Sequence, residues 1–190
     1  TIGDNAFYNC GNLASVDFGN GVESIGQSAF YGNTSLKEVV LPESLTQLLS
    51  GVFNGCVELE RVELPDTLTE IGSNAFRNCT GLEEVTVPGS VETISPYAFQ
   101  NCKSLPTFHI KDSCVTIGDY AFYSVPIDFL VIPQFVTSIG NYAFSDVNCM
   151  VFKSFVAPQI GELQYGINIC VPEGANSYPS SKFSSITLFY

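Results

Sequence analysis

Leu59-Glu60-Arg61-Val62-Glu63-Leu64-Pro65-Asp66-Thr67-Leu68-Thr69-Glu70-Ile71-Gly72-Ser73-Asn74-Ala75-Phe76-Arg77-Asn78-Cys79-Thr80-Gly81 is a unit of 23 residues, and Leu82 begins it again. Working outward, Phe7, Phe30, Phe53, Phe76, Phe99 and Phe122 are each 23 apart, and Phe144 follows after 22. All but Phe53 follow an alanine. Five residues before each Phe stand Ile2, Ile25, Leu48, Ile71, Ile94, Ile117 and Ile139. Three residues after it come Cys10, Cys56, Cys79 and Cys102, with Asn33, Val125 and Val147 in the remaining units. A chain that coils once per unit stacks each side chain on its copies, which is the property that preserves such a period.

Within the unit, Val62-x-Leu64 alternates as a strand does. Pro65 removes an amide donor and ends it. Leu68 and Ile71 turn inward again from a second extended stretch. Gly72 opens a tight turn, and Ala75-Phe76-x-x-Cys79 has the spacing of one short helical or 3₁₀ turn. No single coil buries its apolar side alone, whereas stacked coils build one continuous core. Backbone pairing sets a rise of about 4.8 Å, so seven coils span roughly 34 Å.

The pattern resembles leucine-rich repeats. It is most similar to the BspA-like (Treponema pallidum-type) subclass, whose 23-residue unit carries Leu-Pro, Ile-x-x-x-Ala-Phe and a trailing Cys. The likeness implies a right-handed leucine-rich repeat solenoid of about seven short coils. Each coil would combine β-strand with 3₁₀ or turn, and the strands would form parallel sheet. Residues 1–144 form the solenoid in this reading, and residues 145–190 a degenerate repeat and polar-edged C-terminal cap. Val156-Ala157-Pro158, Ile169-Cys170-Val171-Pro172-Glu173-Gly174-Ala175 and Tyr178 carry the likeness at that end. Leucine-rich repeats usually place Asn or Cys where this chain has Ser44, Thr67, Ser90 and Ser113, so hydroxyls are expected to satisfy backbone groups there. Thr1-Ile2-Gly3 falls in mid-unit, without signal or anchor, and the expectation is a piece of a longer protein.

Nineteen acidic residues against seven basic ones give a net charge of −12. That disfavours nucleic acid and anionic membrane surfaces, whose affinity rests on Lys and Arg. No apolar run approaches the roughly 20 residues that span a bilayer. Most of the seven cysteines fall in inward columns and read as buried free thiols. Cys149 and Cys170, near the end, remain candidates for pairing with each other. No two cysteines have the short spacing of a zinc site.

The chemistry of catalysis finds no support. His109 is the one histidine, in an outward strand column, and no Cys or Asp is placed by sequence to work with it. There is no phosphate loop, no G-x-S-x-G and no H-E-x-x-H. The reading is therefore non-enzymatic, with no cofactor and no metal.

What remains is surface. The outward strand residues form two columns, and the candidate protein-binding stripe is Glu38, Arg61, Glu63, Glu84, Thr86, His109, Phe129 and Val131. It turns from charged in the early coils to apolar in the later ones. Tyr97, Tyr120 and Tyr142, each two residues before its Phe, form a second candidate patch suited to sugar rings or proteins. The resemblance implies a bacterial, extracellular or cell-surface protein, adhesin-like, whose partners are matrix-type proteins or proteins of other cells. The alternatives are a passive stalk presenting another domain, and a glycan-binding repeat surface.

Overall fold

The computed structural model describes residues 1–163, 167–175, 177–183 and 185–189. The V-x-L segments form β1 (Glu38–Val40), β3 (Arg61–Glu63), β5 (Glu84–Thr86) and β7 (Thr107–His109), a four-stranded parallel sheet. The later coils form a second parallel sheet from β9 (Phe129–Ile132), β11 (Cys149–Phe152), β13 (Asn168–Pro172) and β14 (Ser185–Phe189). The extended stretch after the proline forms β2 (Gln47–Leu48), β4 (Glu70–Ile71), β6 (Thr93–Ile94), β8 (Thr116–Ile117), β10 (Ser138–Ile139) and β12 (Gln159–Ile160), one six-stranded parallel sheet. Each strand pairs with its copy one coil away: Glu38 opposite Arg61, Arg61 opposite Glu84, Glu84 opposite Thr107. This is a β-solenoid, and the repeat period is its pitch.

The third side of the coil holds no 3₁₀ helix. Ala-Phe-x-x-Cys is a run of turns with three-residue hydrogen bonds, such as Ala75 N–H to Gly72 O and Cys79 N–H to Phe76 O. Residues with positive φ flank each Phe at both sides, for example Asn74 (58°) and Asn78 (61°), so no helix propagates. The one 3₁₀ helix among the described residues is Ser180–Lys182.

The core is a row of rings. Phe7 to Phe144 stack with centroids 5.1–5.7 Å apart and planes within 7–17°. Phe30 through Phe144 are fully buried. Phe108 fills the column held by valine in earlier coils, and its edge meets Phe99 and Phe122 at 5.0 and 4.4 Å. Cys56, Cys79 and Cys102 do more than fill space: each thiol donates to the Phe carbonyl one coil back and three residues further, Phe30, Phe53 and Phe76, at 3.1–3.2 Å. Cys10, in the first coil, is exposed rather than inward and covered. Cys114 is buried as its column requires.

The expected hydroxyl column is present. Ser44, Thr67 and Ser90 donate to Val22, Leu45 and Leu68 carbonyls one coil back, at 2.6–2.8 Å. An asparagine ladder also exists, moved to the turn side, where Asn101 Nδ2 donates to Asn78 Oδ1 at 2.8 Å. From residue 129 the coil shortens: Phe129, Cys149, Asn168 and Ser185 stand in register at steps of 20, 19 and 17 residues. The last strand exposes Ile186 and Leu188, so that side is apolar where the sequence suggests a polar edge.

The coils approach so closely at the Gly72 and Gly118 column that a Cβ has no room. At Gly118 it would sit 2.5 Å from the Pro96 nitrogen and 2.8 Å from the Ser95 carbonyl carbon, both backbone. Gly118→Ala is therefore expected to cost about 1–3 kcal/mol in chemical denaturation, as overpacking does. Gly89→Ala, whose Cβ would meet only the Lys111 Cδ at 3.7 Å, should leave the midpoint unchanged and serves as the control.

Candidate functional site

The outward columns stand where the strand alternation puts them. In β1, β3 and β5 the middle residue is buried and both neighbours are exposed. Glu38, Arg61, Glu63, Glu84, Thr86 and His109 thus share one open face. Arg61 Nε lies 3.9 Å from Glu38 Oε1 and 3.7 Å from Glu63 Oε1. The alternating ladder expected across Glu38, Arg61 and Glu84 is thus partial: Arg61 turns to its own strand neighbour Glu63, and Glu84 makes no ion pair among the described residues. These side chains are more than half exposed, so each pair contributes only a few tenths of a kcal/mol, about 0–1.

Two shallow hollows flank Arg61 and Glu84. One, of about 210 Å³, is lined by Arg61, Glu63, Asp66, Glu84, Thr86 and Lys111. The other, of about 440 Å³, lies toward the strand starts and is lined by Lys37, Glu38, Glu60, Arg61, Glu83 and Glu84. Counted once each, six carboxylates face three cations.

Beyond β7 the chemistry of the face changes. Phe129 is 56% exposed, and Val131 and Val151 stand side by side in half-buried positions. Two residues absent from the sequence-based site extend this patch. Phe135 and Phe155 are 56% and 61% exposed in the turns after β9 and β11. They continue the column of Ser44, Thr67, Ser90 and Ser113, and that switch from hydroxyl to aromatic is legible once the one-residue shift after Phe122 is allowed for.

Cys149 and Cys170 also lie on this face. Both are free and half-buried, on neighbouring strands, with Cys149 opposite Asn168 and Cys170 opposite Val151. They are diagonal neighbours rather than a directly opposed pair. Desolvation, and then the proximity of Cys170, raise the Cys149 pKa. The inward thiols differ: burial pushes Cys56 and Cys114 up to about 12 and Cys79 and Cys102 higher still. A disulfide-exchange reagent at pH 8 should therefore label Cys10, Cys149 and Cys170 in the native protein. The other four should react only after denaturation, since the thiolate is the nucleophile. Mass spectrometry of the labelled sites checks it, and fast labelling of Cys79 would contradict the burial.

The tyrosine patch is a stack seen edge-on. Tyr97 and Tyr120 lie 5.2 Å apart at 4°, Tyr120 and Tyr142 5.3 Å apart at 29°, and the Arg77 guanidinium sits 5.7 Å from the Tyr97 ring centre. The inner ring faces are thus turned on each other, whereas stacking a sugar needs a free face. All three adopt left-handed backbone, φ 62°, 55° and 51°, at positions held in other coils by Asn5, Ser28, Gly51 and Asn74. For an aromatic residue this conformation costs about 1 kcal/mol or more, which ring stacking at about 0.5–1.5 kcal/mol offsets.

Among the described residues no helix is long and apolar enough to cross a membrane. The family model of the BspA type leucine rich repeat region matches in 6 copies, over residues 1–125 and 69–160. A leucine-rich repeat protein from Bacteroides ovatus superposes with a TM-score of 0.59 at 20% identity, over 100% of this chain and 64% of its own. The pneumococcal vaccine antigen PcpA superposes at 0.55 with 16% identity, over 89% of this chain and 66% of its own. A leucine rich cell surface protein from Faecalibacterium prausnitzii gives 0.51 at 22% identity, over 98% of this chain and 76% of its own. No curated protein matches the chain. The chain spans 64% of the Bacteroides protein's length. At these identities the superpositions speak for the fold, and the repeated match along most of the length speaks for the lineage: this chain belongs to the BspA-type leucine-rich repeat family.

Proposed function

We propose that this repeat scaffold is a protein-binding module of a cell-surface or secreted protein, adhesin-like, which engages a host or neighbouring-cell protein through its exposed strand face. One observation carries the reading. The strands spend one side chain in two on the core and leave the others, from Glu38 to Val131, on a continuous open face whose composition changes along its length. Solenoids bind through such extended surfaces because neighbouring coils hold the contact residues at fixed spacing. The description of the Faecalibacterium relative as a cell surface protein supports the location.

Surface plasmon resonance against immobilised matrix proteins, fibronectin among them, tests it. Arg61→Glu combined with His109→Ala is expected to weaken binding about tenfold or more, the loss of a contact worth roughly 1.4 kcal/mol. The melting temperature should hardly move, because both side chains are exposed. Unchanged binding by the double variant would reject the strand face.

A further inference from the structure

We propose that the strand face takes one amphipathic helix of a partner protein, lying along the solenoid axis, with its basic residues over the Glu63–Glu84 hollow and its bulky apolar residues over Phe129 and Phe135. This rests on the reading of the strand face as the binding surface and specifies what it binds.

The backbone of the face decides the conformation of the guest. Every strand from β1 to β7 is paired through its parallel ladder, so the face offers side chains and no free N–H or C=O groups. A guest lying across the strands must satisfy its own backbone, which a helix does and an extended peptide does not.

Charge decides the first half of the guest. The two hollows around Arg61 and Glu84 hold six carboxylates against three cations, and Glu84 has no ion-pair partner among the described residues. A lysine or arginine entering there supplies the missing countercharge.

The second half is decided by the apolar rows. Phe135 stands where Ser44, Thr67 and Ser90 donate to the preceding coil, so the chain gives up a hydrogen-bonding side chain for a ring open to water. Phe155 sits in a turn that is held in place. The Tyr178 hydroxyl donates to the Ser154 carbonyl at 2.9 Å, and the Val156 N–H donates to the Ser154 hydroxyl at 3.2 Å. Exposed aromatic rings on a fixed frame are the usual anchors of protein interfaces.

Spacing joins the halves. Glu84 and Phe129 stand two strands apart, about 10 Å at the inter-strand distance. A helix covers that in about seven residues, which returns to the same helical face after two turns. The guest therefore carries Lys or Arg on one turn and Phe or Leu about seven residues further on the same stripe.

The test uses the full chain and a synthetic helical peptide of about 18 residues, roughly 27 Å long. It bears two arginines on its first turns and two leucines about seven residues on. A second peptide of the same composition carries the leucines on the opposite face. Fluorescence anisotropy should show saturable binding of the first and not the second. Glu63→Gln with Glu84→Gln should weaken binding about tenfold and flatten its salt dependence. Phe129→Ser with Phe135→Ser should weaken it about tenfold and leave the salt dependence in place. All four side chains are exposed, so circular dichroism and melting should match the parent chain. Equal binding of both peptides, or wild-type binding by both double variants, would overturn the proposal as unspecific attraction to a chain of net charge −12. If matrix-protein binding still responds to Arg61→Glu with His109→Ala, only the helical guest is lost. If that response is absent as well, the strand face itself falls.

Discussion

Raising the pH above about 9 is expected to unfold this chain, through thiols that cannot ionise while they are buried. Cys56, Cys79, Cys102 and Cys114 are each inaccessible to water, and their ordinary pKa of 9.0 rises to about 12 for Cys56 and Cys114 and beyond for the other two. Desolvation is the leading cause in all four. The sign follows from proton counting. Below the unfolded value both states hold the proton, and the stabilisation is fully present. Between 9 and about 12 the unfolded chain releases protons that the folded chain retains, so stability falls as pH rises. Four thiols at about 1.4 kcal/mol per pH unit each give a slope approaching 5 kcal/mol per unit, against a total of about 5–15 kcal/mol for a typical domain. Denaturant midpoints measured from pH 8 to 10.5 would show it. Cys79→Ala should reduce the slope by one proton, about 1.4 kcal/mol per unit, while lowering stability at pH 8. A flat profile over that range would mean that these side chains are open to solvent.

Replacing Phe76 by alanine is expected to cost about 3–5 kcal/mol, the range for an aromatic ring deleted from a packed core. Phe76 is fully buried and stacks on Phe53 at 5.7 Å and on Phe99 at 5.2 Å, so its removal opens a cavity between two rings that β-sheet pairing on other sides holds apart. The coils cannot close around it without breaking register. Because each coil touches mainly its neighbours, the damage should be local. Hydrogen exchange should show lost protection around β3 to β6 and far less change at β11 and β13. Phe76→Leu, which refills much of the space, should cost less. Uniform loss of protection along the whole chain would argue against independent nearest-neighbour stacking.

How far the sequence carries depends on which physical property is asked for. The phenylalanine row, the strand face and the second extended stretch are legible because each is a column repeated at every coil, and periodicity reports burial directly. The hydroxyl column is legible for the same reason, since Ser44, Thr67 and Ser90 replace a residue type whose role is backbone hydrogen bonding. Conformation is harder to see than burial. Nothing in the spelling of Tyr97, Tyr120 or Tyr142 announces a left-handed backbone, although the Asn and Gly that hold the same column elsewhere are the residues that tolerate it. The thiol hydrogen bonds to Phe carbonyls are likewise invisible to a reading that treats cysteine as a small apolar residue. Phe135 and Phe155 are hidden by arithmetic: they lie past the point where the period loses a residue. Cys149 and Cys170 become neighbours only because the coils there shorten to 20 and 19 residues.

The strand wall is two ladders, not one. β7 and β9 touch, yet the four-stranded sheets end and begin there, while β8 pairs on both sides within the unbroken six-stranded wall. The acidic half of the face belongs to one ladder and most of the apolar half to the other. That arrangement is a hinge with its leaf on the far wall. Torque on the rod concentrates at a single joint, and flexing it changes the separation between Glu84 and Phe129 more than any other distance on the face, which makes grip on a guest sensitive to mechanical load.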